Sequence, residues 1–312
     1  MTMTKVAFIF PGQGSQSVGM GKDLFDNFAV AREVFKQADD ALGFKLSEMC
    51  FSGSDDDLAL TTNTQPAILA ASVAAFSVME AEGVKMPDFA AGHSLGEYSA
   101  LVAAGVLNFS DAVRTVRIRG TYMQEAVPVG VGAMAAILGL DVEAVAAGCG
   151  EAAQGQVCGP ANINSPSQVV IAGNTDAVDR ACEILKTKGA KRAIRLNVSA
   201  PFHCALMMPA QERLATDLAK LQYGSYRFQV VHNVDAEPRF DSSATLDALT
   251  RQVSSPVMWM QSVKNLISHG VDTFVEIGPG KVLSGLVRQL DREVKTLNVG
   301  DTESLRNTLD SI

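Results

Sequence analysis

The segment Gly92-His93-Ser94-Leu95-Gly96 constrains the fold of this chain more than any other. It follows a short apolar stretch at residues 89–92 that reads as a strand. It leads into residues 95–104, which read as a helix. A serine flanked by glycines at such a junction sits on a sharp turn that pushes its hydroxyl out of the backbone. The free N–H groups and dipole of the following helix favour a developing oxyanion there. Small residues make chance matches to G-x-S-x-G common, and a helix-capping serine is the plain alternative. The strand-to-helix context is what gives the match weight.

The rest of the chain supplies the α/β frame that such an elbow needs. Residues 6–10 form an apolar run stopped by Pro11-Gly12, a buried strand entering a tight loop. Residues 29–42 and 65–82 read as helices, with Pro66 suited to a first turn. Ser110 can cap a helix reaching about residue 126. The texture then changes to the order β-α-β-β-α-β over residues 132–198, that of a ferredoxin-like unit. Gly130 and Gly132 on one side and Ser199-Ala200-Pro201 on the other are plausible hinges. Strands are expected again at 229–234, 273–277 and 295–299. The expected architecture is α/β: a discontinuous hydrolase-like main domain of residues 1–127 and 200–312, with a ferredoxin-like small subdomain inserted at 128–199.

Composition excludes several function classes. A formal net charge of −8 disfavours a nucleic-acid partner, whose phosphates need a basic surface. The apolar stretches at 66–79 and 129–140 are shorter than a membrane span, and the N-terminal run is too short for a secretory signal. No membrane role is therefore expected, and the cytoplasm is the default. The five cysteines are odd in number and show no C-x-x-C pair, which argues for reduced thiols and against a zinc site or disulfide frame.

A serine nucleophile needs a base, and there are four histidines. His93 lies inside the elbow, where its ring is expected to face away from Ser94 and pack. His269 precedes Gly270 and reads as a helix-end residue. His232 lies in an apolar strand. His203 follows the break Ser199-Ala200-Pro201-Phe202 at the seam between the two units, where clefts form, and is favoured. An acid between serine and histidine, as α/β-hydrolases have, is missing. Asp141, Asp176 and Asp179 read as helix starts and solvated faces, which weakens a lipase or esterase reading. Phe10-Pro11-Gly12-Gln13-Gly14-Ser15-Gln16 follows a strand, but Ser17 stands where the dinucleotide fingerprint needs its third glycine. That loop could bring the Gln13 amide to a site, or be a tight turn with polar tips. On its residues alone, Arg119 reads as a solvated helix face beside Arg114 and Arg117.

Taken together, the stretch from Phe10 to Gln16, Gln65-Pro66, the elbow with Glu97-Tyr98, Arg119-Gly120, Pro201-Phe202-His203 and Glu276-Ile277-Gly278-Pro279-Gly280 resemble the malonyl-CoA:acyl carrier protein transacylases of fatty acid synthesis. The resemblance spans nearly the whole chain. It implies Ser94 as nucleophile and His203 as general acid/base, with the amides of Gln13 and Leu95 as oxyanion hole. It implies that Arg119 pairs with the malonyl carboxylate, that Gln252 orients His203 through its main-chain carbonyl, and that Gln65 and Asn162 line the pocket. Phe202 matches members that select malonyl over methylmalonyl.

The expected partners are malonyl-CoA and acyl carrier protein, with no metal or redox cofactor, and the chain is expected to act as a monomer. Three rivals stand beside this reading: a serine esterase or thioesterase on the same elbow, an inactive carrier-docking scaffold, and a free-standing polyketide transacylase.

Overall fold

The computed structural model describes residues 4–198 and 200–312, so Ser199 of the expected hinge lies outside the described residues. Among the described residues ten strands follow one another: β1 (Lys5–Phe10), β2 (Phe89–Gly92), β3 (Gly132–Leu138), β4 (Cys158–Ser165), β5 (Gln168–Asn174), β6 (Arg192–Arg195), β7 (Gln229–Val231), β8 (Pro238–Arg239), β9 (Val271–Ile277) and β10 (Lys295–Val299). They build a six-stranded sheet in the order β10-β9-β1-β2-β7-β8 and a four-stranded sheet in the order β4-β5-β3-β6. The fold is mixed α/β.

In the larger sheet β10, β9, β1, β2 and β7 run parallel, and only the edge strand β8 is antiparallel. The unbroken apolar run of β1 is what a parallel strand covered on both faces requires. Its alternation divides the core: Phe8 and Phe10 pack on one side, Ala7 and Ile9 on the other with Trp259 and Phe274. The chain leaves β1 toward β2 on one side and returns through β9 on the other. The carboxyl ends of β1 and β2 therefore flank a topological switch point, where ligands bind in such sheets. The register Phe10↔Gly92 sets the loop after β1 directly against the elbow after β2.

The four-stranded sheet is antiparallel throughout. Ala135, Ile137, Val169 and Ile171 pack on Val145, Cys149, Ala181 and Leu185 of its two helices. The alternate residues Met134, Val170 and Ala172 join the main core, which ties the two sheets together.

Several boundaries differ from the sequence expectation. The helix expected at 65–82 is Thr61–Ala81, so Pro66 lies inside it and not in its first turn. The helix before the second sheet is Phe109–Glu125, capped by the Asn108 side chain accepting from the Asp111 amide, not by Ser110. In the second case two neighbouring polar residues, Asn108 and Ser110, compete for the cap, and sequence alone does not rank them; the first helix starts after Leu60 with no side-chain cap. The strands expected at 156–162 and 192–198 are Cys158–Ser165 and Arg192–Arg195.

Candidate active site

Ser94 is the N-cap of the helix Leu95–Ala103, with φ 51° and ψ −105°. The glycines explain how this turn is reached. A Cβ on Gly92 would collide with the Gly96 backbone, and one on Gly96 with the carbonyl of Phe10. Strand, elbow and first helical turn therefore approach more closely than any side chain permits. The turn is tied down by Asn233, whose Oδ1 accepts from the Ser94 amide at 2.7 Å while its Nδ2 donates to the Gly92 carbonyl at 2.7 Å. The Leu95 amide opens the helix and is one of its orphan donors.

The Ser94 hydroxyl lies 2.7 Å from His203 Nε2. On the far side of the ring, Nδ1 lies 2.9 Å from the main-chain carbonyl of Gln252. A carbonyl only accepts, so Nδ1 carries the proton and Nε2 is left as an acceptor for the serine. His203 is buried, and its pKa falls from 6.5 to about 3, first through burial and then through the neighbouring Arg119 cation. It is therefore a neutral imidazole at physiological pH, the form a general base needs.

Arg119 is 1% exposed, contrary to the solvated helix face its residues alone suggest. Its Nη1 donates to Gln65 Oε1 at 2.9 Å. Its Nη2 donates to Gln252 Oε1 at 2.9 Å and to Ser94 Oγ at 3.1 Å. The Nε is buried with no hydrogen-bond partner, and among the described residues no carboxylate comes within 4.0 Å of the guanidinium. The Tyr98 ring lies 5.6 Å below it. A buried cation with no carboxylate in contact is costly; Glu97 acts on it only from a distance, across the Gln252 carboxamide.

These groups line one cavity of about 120 Å³, enough for a short acyl unit. Gln13, Gln65, Ser94, Leu95, Arg119, Asn162, Phe202 and His203 all face it, with Met123, Met134 and Leu196 as apolar wall. Gln252 reaches the site through its carbonyl and carboxamide. A second cavity of about 200 Å³ shares Gln13, His93, Asn162 and Leu196 with the first and extends past Val282.

Of the other histidines, His93 departs in part from expectation, because it packs but also lines the cavity with Ser94. His93 bonds Asn164 at 2.9 Å and packs on Trp259, while its edge lines the cavity. His269 caps the helix Trp259–Ser268. His232 is fully buried, and its Nδ1 lies 2.6 Å from Glu97 Oε1. Sequence reasoning gave no role to Glu97, His232 or Asn233. A charged residue inside the apolar helix Leu95–Ala103 was the signal for the first.

The family model described as acyl transferase domain matches residues 7–304. The malonyl CoA-acyl carrier protein transacylase of Salmonella typhimurium is 52% identical over 92% of this chain and 93% of its own. The malonyl CoA-acyl carrier protein transacylase of Coxiella burnetii superposes with a TM-score of 0.97 at 45% identity, covering 98% of this chain and 97% of that one. A malonyl-transacylase solved in complex with a type II PKS acyl-carrier protein matches with a TM-score of 0.97 at 48% identity, over 99% and 100% of the two chains. The chain belongs to the acyl transferase domain family, in its malonyl CoA-acyl carrier protein transacylase branch.

Proposed function

We propose that Ser94 carries the acyl group in this chain and that His203 moves the protons. The enzyme transfers a malonyl group from malonyl-CoA to the phosphopantetheine thiol of acyl carrier protein. In the first half-reaction His203 Nε2 takes the Ser94 proton as Oγ attacks the thioester carbon. The amides of Leu95 and Gln13 hold the resulting oxyanion. The C–S bond breaks, CoA leaves with the proton from His203, and malonyl-Ser94 remains. In the second half the pantetheine thiol gives its proton to His203 and its sulfur attacks the ester carbon; the C–O bond to Ser94 breaks as His203 returns the proton to Oγ, and the malonyl thioester leaves.

The observation that carries the malonyl reading is the buried guanidinium of Arg119, without a carboxylate partner, 3.1 Å from Ser94 Oγ. A malonyl carboxylate at that distance completes the pair, and Gln65 and Asn162 shape the walls around it. Gln252 stands where a hydrolase has its acid, and its carbonyl keeps His203 in the tautomer required.

The same reading divides the chain into a hydrolase-like catalytic domain of residues 1–127 and 200–312 and a ferredoxin-like subdomain of 128–199. The β4-β5-β3-β6 order and the separate small core support it. No helix among the described residues is long and apolar enough to cross a membrane, and we place the enzyme in the cytoplasm as a monomer. Fatty acid synthesis is the pathway proposed. A polyketide carrier is the second reading, favoured by the relative solved with a type II PKS acyl-carrier protein.

Intact-mass spectrometry after mixing with malonyl-CoA tests the intermediate. A malonyl adduct on Ser94 that passes to a pantetheine thiol supports transfer. Loss of the adduct to water at the same rate with and without the thiol would make the chain a hydrolase. No adduct at all would leave only a carrier-docking scaffold.

A further inference from the structure

Glu97 is fully buried one turn behind the elbow, and three donors converge on its carboxylate. His232 Nδ1 meets Oε1 at 2.6 Å. Oε2 accepts from the Asn233 amide at 3.0 Å and from Gln252 Nε2 at 2.8 Å. The Gln252 carboxamide thus stands between Glu97 and Arg119, whose Nη2 donates to its Oε1 at 2.9 Å.

A carboxylate only accepts and a guanidinium only donates, so an amide between them has a single satisfied orientation. Its Nε2 faces Glu97 and the Ser94 carbonyl, the latter at 3.0 Å, and its Oε1 faces the arginine. Turned over, it would set donors against donors on one side and acceptors against acceptors on the other, all of them buried. Arg119 touches no carboxylate of its own, so the oxygens of Gln252, Gln65 and Ser94 decide where its fork points.

We propose that Glu97 is a positioning residue for acyl selection: by holding the Gln252 carboxamide it fixes the direction in which Arg119 presents its guanidinium to the acyl carboxylate. This rests on the reading of Arg119 given above. Glu97 is the acid that the interval between Ser94 and His203 otherwise lacks, and it acts through an amide on the arginine and not on the base.

The test is the ratio of kcat/KM for malonyl-CoA to that for acetyl-CoA, which uniform structural damage does not move. Glu97→Met should lower the ratio by roughly two- to 150-fold, the span of coupling within one hydrogen-bonded network. Glu97→Gln should keep it near wild type. Its carboxamide oxygen can still accept from Gln252 and Asn233 while its NH₂ faces His232. The imidazole then shifts its proton to Nε2 and donates to the Tyr226 hydroxyl, which lies 3.2 Å away.

In an Arg119→Ala background, Glu97→Met should change the ratio no further. A wild-type ratio in Glu97→Met overturns the proposal, and so does a Gln variant that loses the ratio as the Met variant does. If Glu97→Met does not fold, Gln252→Met cuts the same bridge while keeping the carbonyl that His203 uses, and an unchanged ratio there overturns it equally. An Arg119→Ala enzyme with the wild-type ratio would remove the reading of Arg119 itself, and this proposal with it. A normal response of Arg119→Ala beside an unaffected Glu97→Met removes this proposal alone.

Discussion

Ser94 and His203 meet across 2.7 Å with both backbones at positive φ, 51° and 60°, although neither is glycine. Such conformations cost roughly 1–3 kcal/mol each and persist only where their surroundings over-determine them. Asn233 holds the first, and the second lies within the turn Phe202-His203. The strain places the two side chains face to face.

Ser94→Ala should therefore abolish the malonyl adduct and leave the fold intact. Ser94→Gly should be equally inert, yet more stable than Ser94→Ala by about 1–2 kcal/mol, because glycine adopts this backbone freely. Urea unfolding and intact mass read the two effects. Equal midpoints would contradict the strain, and an adduct in either variant would contradict the nucleophile.

The low pKa of His203 has a definite consequence for pH. In the folded chain it lies near 3, below the ordinary value of 6.5, so the base stays neutral as the pH falls through the usual histidine range. The acidic limb of kcat/KM should therefore lie below about pH 6. The unfolded chain binds this proton first, so stability is lost progressively as the pH falls from about 6.5 to about 3, stays lost below that, and is unaffected by His203 above. Because Arg119 contributes to the depression, Arg119→Ala should move the acidic limb upward. A wild-type limb centred at or above about pH 6.5 would contradict a buried neutral base.

Phe202 is buried against the cavity beside His203 and should exclude an α-methyl group. Overpacking by one methyl costs roughly 1–3 kcal/mol, which is about five- to 150-fold in acylation by malonyl-CoA over methylmalonyl-CoA. Phe202→Ala should narrow that gap. Equal wild-type rates from the two esters would show that Phe202 does not gate the pocket.

How much of this was legible in the sequence depends on how local each signal is. The elbow was, because its glycines and serine act within one turn and β1 is a single apolar run. Arg119 was half legible: Ala112, Val116, Arg119 and Met123 share the buried stripe of their helix, while Arg114 faces solvent. Three arginines within six residues give the helix a charged look that masks this spacing. Gln252 could not be read from residue type, because it orients His203 with a main-chain carbonyl that every residue carries. Glu97 and His232 stand 135 positions apart, and it is the pairing of β2 with β7 that brings the ends of the two strands, and so these residues, together.

Acyl selection by Arg119 is the central claim, and kcat/KM for malonyl-CoA and acetyl-CoA in wild type, Arg119→Ala and Arg119→Lys tests it most directly. A charge-assisted hydrogen bond contributes about 1.5–3 kcal/mol, so Arg119→Ala should lower malonyl transfer by on the order of tenfold to a few hundredfold. Acetyl transfer makes no such pair and should fall little, or rise as a buried unpaired cation is removed. Lysine should restore malonyl transfer only in part, since it offers a point charge in place of a planar fork. Equal losses for both esters in Arg119→Ala would make the arginine a structural residue and contradict the account.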